Sequence, residues 1–472
     1  MTETPRSDAF VFFGATGDLA YKQIFPSLYA MQRRGHLNMP VLGVSRSSWD
    51  KGKLVQRARD SIAEHGQIDE HVFAGLAEHL EYVAGDYQDE DTYRRLRAAL
   101  GQARRPLHYL AIPPGMFDVV ARGLAQSGCA RDARVVVEKP FGRDLASARK
   151  LQAMLTETFA PESIFRIDHY LGKEPVQNLL YFRYANVFAE PIWNHRYIDS
   201  VQVTMAEAFG VQGRGSFYDG VGAVRDVIQN HMLQVVSLLA TEPPPAGHPD
   251  AARDAQCKVF QAMCPVLPQN AVLGQFQGYQ SEPGVAQGSK VETYAALRLD
   301  IDNERWTGVP FFIRSGKCLP VTATEVLVKF KPLRHAVFDT ASAKQATGAA
   351  AGSQANYFRF RISPDVLLCV GARVKLPGEA MAGETVELAA HHQAADEMSP
   401  YERLLGDALR GDPALFARYE SIEAAWRVVT PLLESGTAPL PYQPGSWGPQ
   451  QAAGLTAAAG GWHDPQPPDS KP

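Results

Sequence analysis

The sequence predicts a doubly wound α/β domain followed by a larger α+β domain with a mostly antiparallel sheet. Three observations carry this prediction. Over the first ~170 residues, short continuous apolar runs are separated by amphipathic stretches. A glycine turn, Gly14 to Gly17, stands between the first such run and the first amphipathic stretch. Beyond Tyr197 the apolar residues alternate instead, with no regular helices between the runs.

The first run is Ala9 to Phe13, followed by an amphipathic stretch from Leu19 to Arg34. Pro40 to Val44 and Leu80 to Val83 are the next runs, and Thr92 to Leu100 has helical periodicity. Leu107 to Ile112, a helical Phe117 to Gln126, and Arg134 to Val137 complete the series. Continuously apolar strands between helices suit a parallel sheet covered on both faces, a Rossmann-like arrangement. In the second part, Ser200 to Met205 places Val201, Val203 and Met205 on one face. Tyr294 to Ile301 and Asn356 to Ile362 alternate likewise, as strands with one covered face do. One helix is expected from Tyr218 to Leu239. Glu242 to Asp250 and Thr340 to Gln354 read as loops, and residues 445–472 as an irregular, Gly/Pro-dense tail. The expected division is 1–170 for the doubly wound domain and 171–472 for the rest.

Composition narrows the function. The 472 residues include 45% hydrophobic and 21% charged, enough to bury a sizeable core, and the net charge of -4 argues against a nucleic-acid partner. Five cysteines without a CxxC pair suit a reducing compartment and offer no zinc framework, so no metal is expected. The polar start has no signal-peptide pattern, and no apolar stretch reaches the ~20 residues that span a bilayer. The expectation is a cytoplasmic protein without a membrane or nucleic-acid partner.

The turn Gly14-Ala15-Thr16-Gly17-Asp18-Leu19 sits where the first strand meets the first helix. Phosphate approaches the backbone closely there, which glycine permits, and a helix start offers N–H groups to it. The spacing is Gly-x-x-Gly, shorter than the full dinucleotide fingerprint, so an ordinary glycine turn is the alternative. The flanking strand and helix favour the nucleotide. The second strand ends in Ser45-Arg46, with no acid before Asp50. An acid there would hold a ribose 2′-hydroxyl, whereas arginine pairs with a 2′-phosphate. That favours NADP over NAD, against the alternative of a solvated surface arginine.

Alcohol dehydrogenation needs a base for the hydroxyl proton while hydride leaves, and a histidine oriented by a carboxylate serves. Thirteen histidines are available, so one alone decides nothing. Arg166-Ile167-Asp168-His169-Tyr170-Leu171-Gly172-Lys173 gathers His, Tyr and Lys where the parallel sheet should end, a donor set suited to a phosphate. A salt-bridged surface turn is the bland alternative.

Those eight residues resemble the substrate-site signature of the glucose-6-phosphate dehydrogenase family. The glycine turn, Glu138-Lys139-Pro140-Phe141-Gly142, Gly213-Arg214-Gly215, Arg225 to His231, and Val309 to Lys317 resemble the same family in the same order. The likeness covers about residue 10 to at least residue 330. It implies His231 as general base and Asp168 as its orienting acid. It implies that His169 and Tyr170 hold the 6-phosphate, and that Lys173, Glu207, Asp226 and Lys317 bind the sugar or its phosphate. Lys139 would lie between cofactor and substrate, with Pro140 after a cis peptide, and Arg46 would hold the 2′-phosphate. The implied activity is oxidation of glucose 6-phosphate with NADP by a homodimer or homotetramer, its active site drawing Asp168 from the first domain and His231 from the second.

Departures from the family pattern are visible. Gln23 stands where a lysine is usual, and Pro320 to Ala323 lacks a basic residue that many members carry. They keep open a dehydrogenase for another sugar phosphate or free aldose, or a non-catalytic NADP-binding sensor. The spacing of Asp226 and His231 is also awkward, because residues five apart on an α-helix point ~140° from one another.

Overall fold

The computed structural model describes residues 5–245, 250–333, 355–378, 381, 383–391 and 397–467. The loop expected at Thr340 to Gln354 lies outside the described residues. The chain forms two compact units. The first comprises residues 1–174, 244–254 and 398–423, and the second comprises 175–243, 255–397 and 424–472.

The first unit is the expected Rossmann-like domain. Its strands are β1 (Ala9–Phe13), β2 (Val41–Ser45), β3 (Leu80–Ala84), β4 (Pro106–Leu110), β5 (Arg134–Glu138) and β6 (Ile164–Ile167). They pair in parallel in the order β3-β2-β1-β4-β5-β6, which reverses direction between β1 and β4. The first helical stretch is a wide turn, Ala20–Ile24, that continues as α1 (Phe25–Arg33). Helices α2 (Lys51–Ala63), α3 (Glu70–His79), α4 (Glu90–Ala99), α5 (Phe117–Gln126) and α6 (Leu145–Thr158) follow. Their starts are chemically set: Asp50 accepts from the Lys53 N–H at 2.9 Å, and Asp144 and Ser147 form a capping box on α6.

One wall of this unit's core comes from far along the chain. Leu404, Leu405, Ala408 and Leu409, with Phe416 beyond them, pack among Phe10, Phe12, Phe25 and Leu28. The Phe416 ring meets Phe165 edge-on at 4.8 Å. Arg134, at the start of β5, ties this return to the N-terminus by donating to Ser7 Oγ at 2.8 Å and Leu409 O at 3.0 Å.

Helix α7 (Glu174–Ala185) leads into the second unit. Its sheet runs β14-β13-β12-β11-β7-β10-β9-β8-β15. The ranges are β7 (Ile198–Ala206), β8 (Ala271–Phe276), β9 (Tyr294–Leu299), β10 (Phe311–Gly316), β11 (Ala323–Phe330), β12 (Tyr357–Ser363), β13 (Leu367–Lys375), β14 (Gly383–His391) and β15 (Leu440–Tyr442). It is antiparallel except where β10 meets β7 and β15 meets β8. On it lies a fully buried helix rather than an amphipathic one, because Leu233–Ala240 is apolar nearly all round.

Two expectations are corrected. The helix placed from Tyr218 to Leu239 is broken: a short turn, α8 (Gly215–Tyr218), ends before Gly220 and Gly222, and the long helix restarts at Val224. The tail, expected to be irregular, carries helical turns at Gln450–Ala452 and Ala453–Thr456 and is then pinned to the sheet. Gln202 donates to Gly461 O at 2.9 Å and accepts from the His463 N–H at 2.8 Å. Arg314, 1% exposed, lies between the rings of Trp447 and Trp462 and pairs with Asp464 at 2.6 Å. Its polar partners satisfy a cation that apolar burial alone would expel.

Candidate functional site

The glycine turn lies at the point where the strand order reverses, the usual ligand crevice of such sheets. Gly14 has φ of +82°, and a Cβ there would come within 2.2 Å of the Ala111 carbonyl oxygen. Its N–H is shared between Val44 O and the Tyr87 hydroxyl, both at 2.9 Å. Ala15 is buried, Thr16 and Leu19 are half-buried, and Gly17 and Asp18 are exposed. Thr16 Oγ1 meets Ser45 Oγ at 2.9 Å and accepts from the Ser47 hydroxyl at 3.3 Å. The second strand therefore ends in hydroxyls with no carboxylate, and Arg46 beside them is exposed and makes no ion pair among the described residues. A glycine cradle, a hydroxyl cluster and an uncommitted guanidinium fit a dinucleotide bearing a 2′-phosphate. Ser45 was read in the sequence as the end of the second strand, whereas Ser47 and Tyr87 carried no sequence signal.

Beyond β6 the chain turns through Asp168 to Lys173. Asp168, 2% exposed, accepts the Tyr170 N–H at 3.0 Å, which fixes the turn. The Lys173 ammonium sits 4.1 Å from the centre of the buried Tyr170 ring. Burial lowers the pKa of Lys173, opposed by Asp168. His169 is flanked by Tyr170 at 5.2 Å and stacks on Tyr401 at 6.4 Å with 12° between ring planes. After α10 (Ala251–Ala262) comes α11 (Pro400–Arg410), which carries Tyr401, starts with a Ser399 cap and packs closely because residue 172 is glycine. A Cβ at Gly172 would lie 2.9 Å from Pro400 O, and Arg403 donates to the Gly172 carbonyl at 3.0 Å. The four candidate residues Asp168, His169, Tyr170 and Lys173 are thus grouped on one buttressed turn.

At the end of β5, Glu138 receives the Tyr109 hydroxyl and faces that of Tyr401. Burial raises its pKa to about 7, opposed by the two tyrosines and by Lys139. The Lys139–Pro140 peptide is cis, as expected from the resemblance.

The second unit groups the other candidates. Lys317, at the end of β10, donates to Glu207 Oε2 at 2.6 Å, just past the end of the parallel neighbour β7. Phe209 and Tyr218 flank its ammonium at 5.3 and 5.0 Å. Burial raises the Tyr218 pKa well above the usual range, reinforced by the nearby carboxylates of Asp226, Glu292 and Glu207. Thr322, where a basic residue is usual, accepts the Ala208 N–H at 3.0 Å and so holds the Glu207 loop. Gln23 is half-buried on the wide turn, and Lys22 is exposed.

Asp226 and His231 occupy a π-helical segment, Val224–Met232, ahead of α9 (Leu233–Ala240). Its i→i+5 bonding brings residues five apart about one turn above each other, so the expected ~140° divergence is overturned. His231 is 2% exposed and Asp226 half-buried. Buried Glu292 fixes the segment's start by accepting the Val224 N–H at 3.0 Å. Gly222 leaves room for that carboxylate, which would lie 2.5 Å from a Cβ.

Comparison with known proteins agrees over both units. Residues 11–178 match the family model for the glucose-6-phosphate dehydrogenase NAD binding domain, and residues 180–463 that for its C-terminal domain. Glucose-6-phosphate 1-dehydrogenase 1 of Mycobacterium tuberculosis (strain CDC 1551 / Oshkosh) is 42% identical over 97% of each chain. The cytoplasmic isoform of Solanum tuberosum glucose-6-phosphate 1-dehydrogenase is 37% identical over 96% of this chain and 91% of its own. The crystal structure of glucose-6-phosphate 1-dehydrogenase from Mycobacterium avium superposes with a TM-score of 0.89 at 40% identity, covering 98% and 100% of the two chains. A glucose-6-phosphate dehydrogenase in complex with its substrate glucose-6-phosphate gives 0.88 at 33% identity with the same coverage. With both of its units matched and relatives this similar over nearly their whole length, the chain belongs to the glucose-6-phosphate dehydrogenase family.

Proposed function

We propose that this chain is an NADP-dependent glucose-6-phosphate 1-dehydrogenase. It oxidises C1 of glucose 6-phosphate to give 6-phosphoglucono-1,5-lactone, the first oxidative step of the pentose phosphate pathway. The observation that carries this is the 42% identity to a curated enzyme of that name over 97% of each chain.

The nicotinamide, when bound, accepts the hydride from C1. The chain supplies the rest. His231 removes the C1 hydroxyl proton, and Asp168 orients its ring and steadies the imidazolium. His169 and Tyr170 hold the 6-phosphate, while Lys173, Glu207, Asp226 and Lys317 bind the sugar or its phosphate. Lys139 serves both ligands. Gly14, Ala15, Thr16, Gly17, Asp18 and Leu19 cradle the pyrophosphate, and Arg46 takes the 2′-phosphate. Nucleotide binding falls to residues 1–170, completed by the segments 244–254 and 398–423 of the same unit, and substrate binding and dimerisation to the rest of 171–472. We place the enzyme in the cytoplasm as a homodimer or homotetramer. No helix of the described residues is long and apolar enough to cross a membrane.

Initial rates of nicotinamide reduction, measured with glucose 6-phosphate or glucose and with NADP or NAD, test this. Turnover with the phosphate ester and NADP is expected. Turnover with free glucose alone, or none with any pairing, would overturn the substrate assignment.

A further inference from the structure

The Glu138 carboxyl is not among the groups given a role above, yet it is tied to them. It receives the hydroxyl of Tyr109, a fully buried residue on the adjacent strand β4. It faces the hydroxyl of Tyr401 from α11, and the ring of Tyr401 stacks on His169. Glu138 pairs in register with Ile167, the residue before Asp168. The charged and titratable groups around it are Tyr109 on β4, Tyr401 on α11, Lys139 beside it, and Asp168 beyond β6. All of these lie in the first unit.

Resting on the reading of His169 as a phosphate ligand, we propose that Glu138 is a positioning residue. Clamped by Tyr109 and facing Tyr401, it fixes the Tyr401 ring against His169 and sets the charge behind that imidazole. A tyrosine ring stacked on a histidine restrains the imidazole plane, and a carboxylate behind the stack favours the imidazolium. The positioning depends on the ionised carboxylate, because only that form accepts from both hydroxyls without giving up an oxygen to a proton. Glu138 has a pKa of about 7, so this state changes in the neutral range.

The test uses the full chain with Glu138→Gln, Tyr401→Phe and the double variant. Glu138→Gln should raise KM for glucose 6-phosphate about 3- to 10-fold above neutral pH and change kcat less than about twofold. Its kcat/KM profile should lose a neutral-range inflection present in the parent. The double variant should be no worse than the poorer single variant, because both substitutions break one chain of contacts. Multiplying effects, or an unchanged KM and pH profile, would overturn the proposal. A second readout needs no turnover: the ring resonances of His169, assigned by their loss in His169→Gln. Glu138→Gln should move the titration of those resonances to lower pH. That shift in a protein that does not oxidise glucose 6-phosphate would sink the proposed activity but keep the positioning. Normal turnover without the shift would sink the positioning alone. Should Glu138→Gln not fold, Tyr401→Phe carries both readouts.

Discussion

His231 and Arg46 illustrate two kinds of residue. His231, the proposed base, is buried on the π-helical segment. Replacing it with asparagine should lower kcat by about 10²- to 10⁴-fold, the usual worth of a general base, with the NADP Kd unchanged by fluorescence titration. A lost NADP affinity would count against that role. Arg46 is exposed and outside any ion pair among the described residues, so Arg46→Ala should leave Tm nearly unchanged. It should raise KM for NADP at least tenfold more than KM for NAD, and equal effects would remove the 2′-phosphate contact. Arg46 was singled out by its place at the end of the second strand, whereas His231 was singled out only by the family resemblance. Glu138 was quoted only as part of a motif. Its partners Tyr109 and Tyr401 are distant in sequence, and single-chain reading has no means of joining them.

At the scale of elements, β1 to β5 of the first sheet were legible because continuous apolar runs have few other solutions, whereas β6, only four residues long, was not among those runs. The helix carrying Asp226 was expected, but its start and its period were not, since a 3.6-residue period was assumed where the backbone takes i→i+5 bonds. The tail misled for another reason. Its Gly and Pro content suggested irregularity, but Trp462, His463 and Asp464 are the partners that a buried Arg314 and Glu325 require. Truncation after Gly461 should destabilise the protein by about 3 kcal/mol, seen as a lower chemical-denaturation midpoint, because Arg314 loses its carboxylate. The same element has an acid signature. Hydrogen bonds and charges from His463, Arg359 and Arg361 outweigh burial and hold the Glu325 carboxyl down at about 2. A depressed pKa contributes stability above the ordinary carboxylate range that is lost as pH falls towards 2. Glu325→Gln should therefore flatten the decline of Tm between about pH 4.5 and 2, and a parallel decline in both proteins would exclude this source.

For the whole molecule, the two-domain plan was legible from the change of apolar period, yet the path of the chain was not. Nothing in residues 398–423 marks them as part of the first unit, because apolar helix faces carry no address. That return bears on how the protein is made. A ribosome finishes β6 roughly 240 residues before it releases Leu404, at a pace of ~5–20 residues per second. For that interval the nascent sheet presents Phe10, Phe12 and Phe165 without the wall that covers them in the finished protein. A fragment ending at Glu174 should accordingly bind a hydrophobic dye and lack a cooperative thermal transition, whereas a sharp transition would show that it completes itself. Synthesis thus leaves a long interval in which the nucleotide fold exists without its last wall.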